Sequence, residues 1–160
     1  MNRSKLAVLV GLCAVCAAMT GPRCDPQGQG YALDEGSFLL TGCIVGPCLC
    51  PIAQAELQGS FRLVELPTLH PGPDRWFEVR DLFWTLPGGE EVRGTGLYTN
   101  AAPVNDDQRL TLTLEIDGEA IDPMDSGVVP GGLAFPAIDI QTITAGFCFQ
   151  TAAQVVATPD

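Results

Sequence analysis

The residues of this chain whose types and spacing could carry chemistry are mainly its cysteines. Cys43, Cys48 and Cys50 stand within eight residues, in the stretch TGCIVGPCLCP, and Cys148 follows about 100 residues later. Thiols grouped in this way can pair as disulfides, bind a soft metal ion or take part in thiol–disulfide exchange. Which of these chemistries applies depends first on the compartment of the protein.

The first residues predict export. Arg3 and Lys5 form a short basic start, an unbroken run of apolar and small residues covers 6–18, and further small residues follow. This layout is typical of a secretory signal peptide. The apolar run is shorter than the roughly 17–25 residues of a membrane-spanning helix. We therefore predict a signal peptide over 1–20, cleaved after Ala18 or Thr20. The mature protein is then extracytoplasmic, either secreted or periplasmic, with no transmembrane segment.

Export favours disulfide bonds, because they persist in oxidising compartments. Five cysteines remain after the leader, and Cys24, close to the new N-terminus, is the expected unpaired one. A bond within Cys48-x-Cys50 would be strained. Cys43 is therefore expected to pair with Cys48 or Cys50, and the other of these two with Cys148. Closing a loop of about 100 residues contributes about 4–5 kcal/mol in the chain-entropy model, which is a structural reason for this bond.

The alternative is a metal site formed by Cys43, Cys48, Cys50 and Cys148. Four thiolates can surround Zn²⁺ tetrahedrally, and a Cys-x-Cys pair suits Cu(I). However, these four cysteines lack the paired Cys-x2-Cys spacing of structural zinc sites and of redox motifs, and the only histidine is His70. We expect no cofactor and retain metal handling as the alternative function.

Other motifs with chemical meaning are weak. Asp125–Gly127 resembles the Asp-Ser-Gly motif of aspartic proteases over three residues, but it occurs once and consists of ordinary turn residues. No Gly-x-Ser-x-Gly sequence or Ser/His/Asp set is recognisable. A group of acidic residues lacks the spacing of a 12-residue calcium loop: Asp106, Asp107, Asp117, Glu119, Asp122 and Asp125. We therefore expect a protein that is not an enzyme.

The charge balance excludes two classes of partner. Without the leader, six arginines, no lysine and 19 acidic residues remain, a net charge of −13. Nucleic acids and anionic membranes are bound through clustered Lys and Arg side chains, which this chain lacks. The expected partner is an unidentified protein or another component of the cell envelope.

The elements that position these residues are predicted to be short strands. Residues 109–117 alternate apolar and polar side chains, and the Asp117-Gly118 turn leads to a return strand. Residues 75–98 predict a second hairpin, with a bulge at Arg80-Asp81 and a turn at 87–89. Weaker strands are expected at 37–41, 57–66, 137–144 and 147–157, and one short helical turn at 51–58.

About eight strands, with turn signals every ten residues or so, predict an all-β protein. We expect an antiparallel β-sandwich, with a closed up-and-down β-barrel as the alternative. The predicted organisation is a signal peptide at 1–20, a mobile N-terminal segment at 21–35 and a single β domain at 36–158. We expect this acidic, disulfide-stabilised domain to have a binding or structural role at the cell envelope or outside the cell. The last alternative is a barrel that holds a small apolar ligand in a cavity of several hundred Å³.

Overall fold

The computed structural model describes residues 28–67, 74–101, 107–130 and 135–160. All regular structure within these ranges is β-strand, which confirms the all-β class. The predicted signal peptide, Cys24 and His70 lie outside the described residues. The strands are β1 (Gln29–Leu33), β2 (Phe38–Gly42), β3 (Ala53–Glu56), β4 (Gln58–Glu65), β5 (Arg75–Thr85), β6 (Glu91–Asn100), β7 (Gln108–Ile116), β8 (Glu119–Ala120), β9 (Met124–Asp125), β10 (Ile138–Thr144) and β11 (Gln150–Pro159).

Eight of these strands form a closed antiparallel barrel. Their order around the barrel is β1-β4-β5-β6-β7-β9-β10-β11, and β1 closes the ring by pairing with both β4 and β11. Closure removes the free sheet edges that would otherwise invite pairing with another chain. The strand order matches the closed barrel that the sequence analysis gives as its alternative. Outside the ring, β2 pairs with β11, β3 pairs with β2, and β8 pairs with β7.

The interior of the barrel is filled by apolar side chains. Three leucines of β7, Leu110, Leu112 and Leu114, are at most 3% exposed. The residues that follow the last two of them, Thr113 and Glu115, face solvent. This is the alternation that the sequence predicts for a strand with one packed face. The void enclosed at the centre of the barrel has a volume of about 10 Å³. The barrel is therefore a packed core rather than a container.

The predicted bulge lies in β5. The register between β5 and β6 shifts between Val79 and Leu82, and Asp81 has a positive φ of 50°. Before the shift, Val79 is buried; after it, Leu82 and Trp84 are buried. The extra residue thus changes which positions face inward and keeps the apolar side chains inside on both sides of the bulge.

β1 and β2 lie one after the other along the same neighbour, β11. The gap between them is filled by Ser37, whose Oγ donates a hydrogen bond to the Val156 carbonyl (2.8 Å) and accepts one from the Val156 N–H (3.0 Å). β1 lies within the segment 21–35 that the sequence analysis leaves outside the β domain, and its Tyr31 is only 1% exposed.

The helical turn predicted at 51–58 is wrong. β3 occupies half of this stretch and pairs with β2 over four residues, from Thr41↔Ala53 to Phe38↔Glu56. The stretch lacks a continuous apolar face, so local pattern alone did not indicate its pairing with β2. The connection between β2 and β3, residues 43–52, contains Cys43, Cys48 and Cys50 and lies outside the closed ring.

Candidate functional site

The four cysteines of the described chain form two disulfide bonds. Cys43 pairs with Cys50 and Cys48 pairs with Cys148, with Cα–Cα distances of 5.3 and 5.4 Å. This is one of the two connectivities that the sequence leaves open. All four sulfur atoms are in S–S bonds, so none is present here as the thiolate that the metal-handling alternative requires. Within the described residues, no group of three or more His, Cys, Asp or Glu side chains is arranged to hold a metal ion.

The bonds join two loops into one surface, which we name the disulfide tip and define as residues 43–52 and 145–149. The first bond closes a separation of 7 residues inside the β2–β3 connection. The second spans a separation of 100 residues and ties that connection to the loop between β10 and β11. Two loops that are distant in sequence are therefore held together covalently.

A buried glutamine joins the same two loops by hydrogen bonds. Gln150 is 6% exposed. Its Oε1 accepts a hydrogen bond from the Val45 N–H at 2.8 Å, and its Nε2 donates one to the Gly146 carbonyl at 2.9 Å. One side chain thus satisfies a backbone donor in the first loop and a backbone acceptor in the second.

Two glycines allow the close backbone approaches of the tip. Gly42 has a φ of 137°, and a Cβ placed there would lie 2.3 Å from the Pro51 carbonyl oxygen. Gly46 has a φ of 122°, and its Cβ would lie 2.6 Å from the Phe147 carbonyl oxygen. Both conformations disfavour residues with a side chain. The glycines of GCIVGPCLC therefore set the path of the first loop against the second.

Large apolar side chains cover the outside of the tip. Leu49 is 102% exposed, and four others are also largely in solvent: Val45 at 62%, Ile52 at 52%, Phe147 at 77% and Phe149 at 70%. In the rest of the described chain, only Trp76, Phe83 and Val128 are large, apolar and exposed. Five such side chains on two cross-linked loops make the tip a candidate site of interaction.

The tip is also free of charge in an otherwise acidic protein. Residues 36–55 and 140–159 contain no Asp, Glu, Lys, Arg or His, although the whole chain has a net charge of −11. The five arginines in the described ranges all form ion pairs with carboxylates: Arg62–Asp81, Arg75–Glu65, Arg80–Glu78, Arg93–Glu91 and Arg109–Asp125. The tip segments themselves therefore carry no charged side chain, although the Arg109–Asp125 pair lies next to the end of β10, where Asp125 pairs with Ile143.

The Asp-Ser-Gly motif begins at the last residue of β9, Asp125, and continues into the segment that follows this strand. Asp125 accepts hydrogen bonds from the Arg109 guanidinium and from the Gly127 N–H. The hydrogen bond from Arg109 holds the pKa of the Asp125 carboxyl below its usual range. Of the other acidic residues singled out in the sequence, Asp117 accepts a hydrogen bond from the Glu91 N–H at 2.9 Å, and Asp106 lies outside the described residues.

The opposite end of the barrel carries a groove of about 380 Å³. Arg75 lies over the rings of Phe77 and Phe135, at 5.0 and 5.2 Å from their centroids, and forms two hydrogen bonds to Glu65. These hydrogen bonds lower the pKa of Glu65. Residues 68–73 and 131–134, which adjoin the groove in sequence, lie outside the described residues. The disulfide tip, which is described completely, is therefore the better defined candidate site.

Sequence reasoning found the cysteines of the tip but missed its exposed side chains. Phe147 and Phe149 were expected to belong to a strand over 147–157, whereas β11 begins at Gln150. The signal that could have found the tip is the position of the cysteines. All four fall within two long charge-free runs of an acidic chain.

Comparison with known proteins does not assign this chain to a family. No protein-family model, curated protein or solved structure matches the chain. No helix in the described part of the chain is long and apolar enough to cross a membrane. The function is therefore inferred from the disulfide tip and the barrel that supports it.

Proposed function

We propose that this chain is an exported, disulfide-stabilised β-barrel that acts by binding, at the cell envelope or outside the cell, through its disulfide tip. The observation that supports this most directly is the exposure of five large apolar side chains on two covalently joined loops. Apolar groups gain free energy on leaving water. A surface that keeps them in water on a rigid support is suited to a partner that buries them.

The packed interior favours binding on the outside of the barrel. A site for a small apolar ligand occupies several hundred Å³ in typical proteins. The void at the centre of this barrel has a volume of about 10 Å³ and is lined by core side chains such as Phe61, Trp84 and Val155. As the described residues are arranged, the interior has no room for such a ligand.

The disulfide bonds support a location in an oxidising compartment, where such bonds persist. The predicted signal peptide over 1–20 agrees with this location. With the predicted signal peptide removed, a protein that has no lysine and 19 acidic residues is also well dispersed by like-charge repulsion. This repulsion would help to keep an exposed apolar surface from self-association before it meets its partner.

The experiment compares three forms of the protein expressed in its own host. The tip variant carries Leu49→Ser, Phe147→Ser and Phe149→Ser. The matched control carries Trp76→Ser, Phe83→Ser and Val128→Ser, which also removes three exposed apolar side chains but lies outside the tip. We expect the wild type and the control to be retained on envelope or extracellular material, and the tip variant to be released from it.

Intact mass before and after reduction and alkylation is measured on the same samples. We expect the cysteines of both disulfides to become alkylatable only after reduction. Equal retention of all three forms would contradict a binding role for the tip. Free thiols at these four cysteines together with a retained metal ion would favour the metal-handling alternative instead.

A further inference from the structure

Resting on the binding role proposed above, we infer that the disulfide tip inserts into the surface of an electrically neutral, zwitterionic lipid membrane. The inference depends on three properties of the tip: the chemistry of its exposed side chains, the bonding of its backbone and the distribution of charge around it.

The exposed side chains fit hydrocarbon better than they fit a protein partner. Energetically dominant residues of protein interfaces are enriched in Trp, Tyr and Arg, and poor in Leu and Val. The tip contains none of the first three types. Its exposed large apolar residues are aliphatic or phenylalanine: Val45, Leu49, Ile52, Phe147 and Phe149. Such groups need neither a hydrogen-bond partner nor a complementary pocket to gain from leaving water.

Part of the backbone at the base of the tip already has hydrogen-bond partners within the protein. An unsatisfied N–H or C=O group is costly in an apolar medium. Gln150 satisfies the Val45 N–H and the Gly146 carbonyl, and the Ile44 N–H donates to the Gly42 carbonyl at 3.2 Å. The disulfides hold this arrangement, so little conformational entropy remains to be lost on insertion.

The charge distribution selects the kind of lipid. Anionic leaflets attract clusters of Lys and Arg and repel acidic proteins. The chain carries a net charge of −11, and each arginine in the described ranges is already paired with a carboxylate. The tip itself adds no charge. A neutral headgroup layer therefore complements this protein, and an anionic one opposes its approach.

The test is flotation of the protein with phosphatidylcholine vesicles. The wild type and the Trp76→Ser/Phe83→Ser/Val128→Ser control are expected to float with the vesicles. The Leu49→Ser/Phe147→Ser/Phe149→Ser variant should lose roughly a thousandfold or more in partitioning, because burying each of its three lost side chains is worth about tenfold or more. Replacing part of the phosphatidylcholine by phosphatidylglycerol should weaken wild-type binding at low ionic strength, and added salt should restore it.

A second variant reports the position of the tip directly. Leu49→Trp places an indole at a fully exposed position. Its fluorescence should be quenched by phosphatidylcholine brominated on the acyl chains, whereas Val128→Trp outside the tip should not be quenched. Loss of the difference between these two variants would contradict insertion through the tip.

The outcomes separate this inference from the proposed function. If the wild type does not float with phosphatidylcholine while its retention on envelope material still depends on the tip, the partner is a protein; the lipid inference then falls and the binding role stands. If vesicle binding increases with phosphatidylglycerol, the charge argument is overturned. If neither vesicle binding nor envelope retention depends on the tip, both proposals fall.

Discussion

The interior of the barrel and the disulfide tip contain the same types of residue in opposite environments. Leu114 on β7 is 0% exposed and Leu49 in the tip is 102% exposed. The interior is held together by burial of its apolar side chains. The tip cannot be held in this way, because its apolar side chains face water, and it is fixed instead by two disulfides and by Gln150. Where burial does not stabilise a segment, covalent and hydrogen bonds replace it.

The residues around Cys148 show how the cross-link and the exposed side chains of the tip are combined. Phe147 and Phe149 are 77% and 70% exposed, whereas Cys148 between them is only partly exposed and is bonded to Cys48. The chain bends at Phe147 and Cys148, between the end of β10 and the start of β11. The cross-link holds Cys148 against the β2–β3 connection, while its two aromatic neighbours remain in solvent.

The largest expected effect is the loss of the long-range disulfide. Cys48→Ser with Cys148→Ser should lower the free energy of unfolding by about 4–5 kcal/mol in the chain-entropy model, since the bond spans 100 residues. The Cys43–Cys50 bond closes only a short loop, with a separation of 7 residues. Its removal by the matched pair Cys43→Ser with Cys50→Ser should therefore cost about 2 kcal/mol. Denaturant unfolding of both pairs measures the difference. Equal losses would show that loop length does not determine the contribution of these bonds.

The next largest effect on the free energy of unfolding is expected when a leucine is replaced by alanine in the barrel interior, compared with the same replacement in the tip. Leu114→Ala should destabilise the protein by about 2–5 kcal/mol, because it leaves a cavity in a packed core. Leu49→Ala should change the free energy of unfolding by less than about 0.5 kcal/mol, as is usual for a surface position. Denaturant titrations of the two variants give both values. A large loss for Leu49→Ala would mean that the tip is packed in solution.

A smaller effect is expected at the hydrogen-bonded link between the two tip loops. Gln150→Ala leaves the Val45 N–H and the Gly146 carbonyl without their side-chain partner, at a cost of about 1–3 kcal/mol. Hydrogen exchange at the Val45 amide should become faster in this variant, while exchange at the Leu114 amide in the core should follow global unfolding only. Unchanged protection at Val45 would contradict the role of Gln150.

The barrel interior can also be tested through the pH dependence of the free energy of unfolding. Burial of Tyr98 raises its pKa to about 12, whereas a tyrosine in an unfolded chain titrates near pH 10. The stability contributed by its neutral phenol is therefore present below about pH 10 and is lost as the pH rises toward 12. Ultraviolet titration of the wild type against Tyr98→Phe measures this. A Tyr98 phenolate that forms near pH 10 in the folded protein would contradict its burial.

Local patterns predicted the parts of the fold that are encoded locally. The alternation in β7, the phase change at the Arg80-Asp81 bulge and the Asp117-Gly118 turn could each be inferred from a few neighbouring residues. The closure of the barrel could not, because it depends on β1 pairing with both β4 and β11, which are far apart in sequence. β9 is only two residues long, too short to show a pattern.

The candidate site was predictable in its covalent framework but not in its surface. Cysteine spacing and the strain of a Cys48–Cys50 bond limited the pairing to two connectivities. Whether Phe147 and Phe149 face the core or solvent is decided by how the loop meets the β2–β3 connection, and no local pattern specifies that contact. The type of an apolar residue indicates how much free energy is gained when its side chain leaves water. It does not indicate which part of the protein, or which binding partner, buries that side chain.

The measurement that tests the central claim most directly is the unfolding free energy of the Leu49→Ser/Phe147→Ser/Phe149→Ser variant. If the tip is a binding surface held by its cross-links, this triple change leaves the free energy of unfolding within about 1 kcal/mol of the wild type. A loss of several kcal/mol, comparable to that expected for Leu114→Ala, would show that these side chains belong to the folded core. That result would contradict the distinction between the two regions.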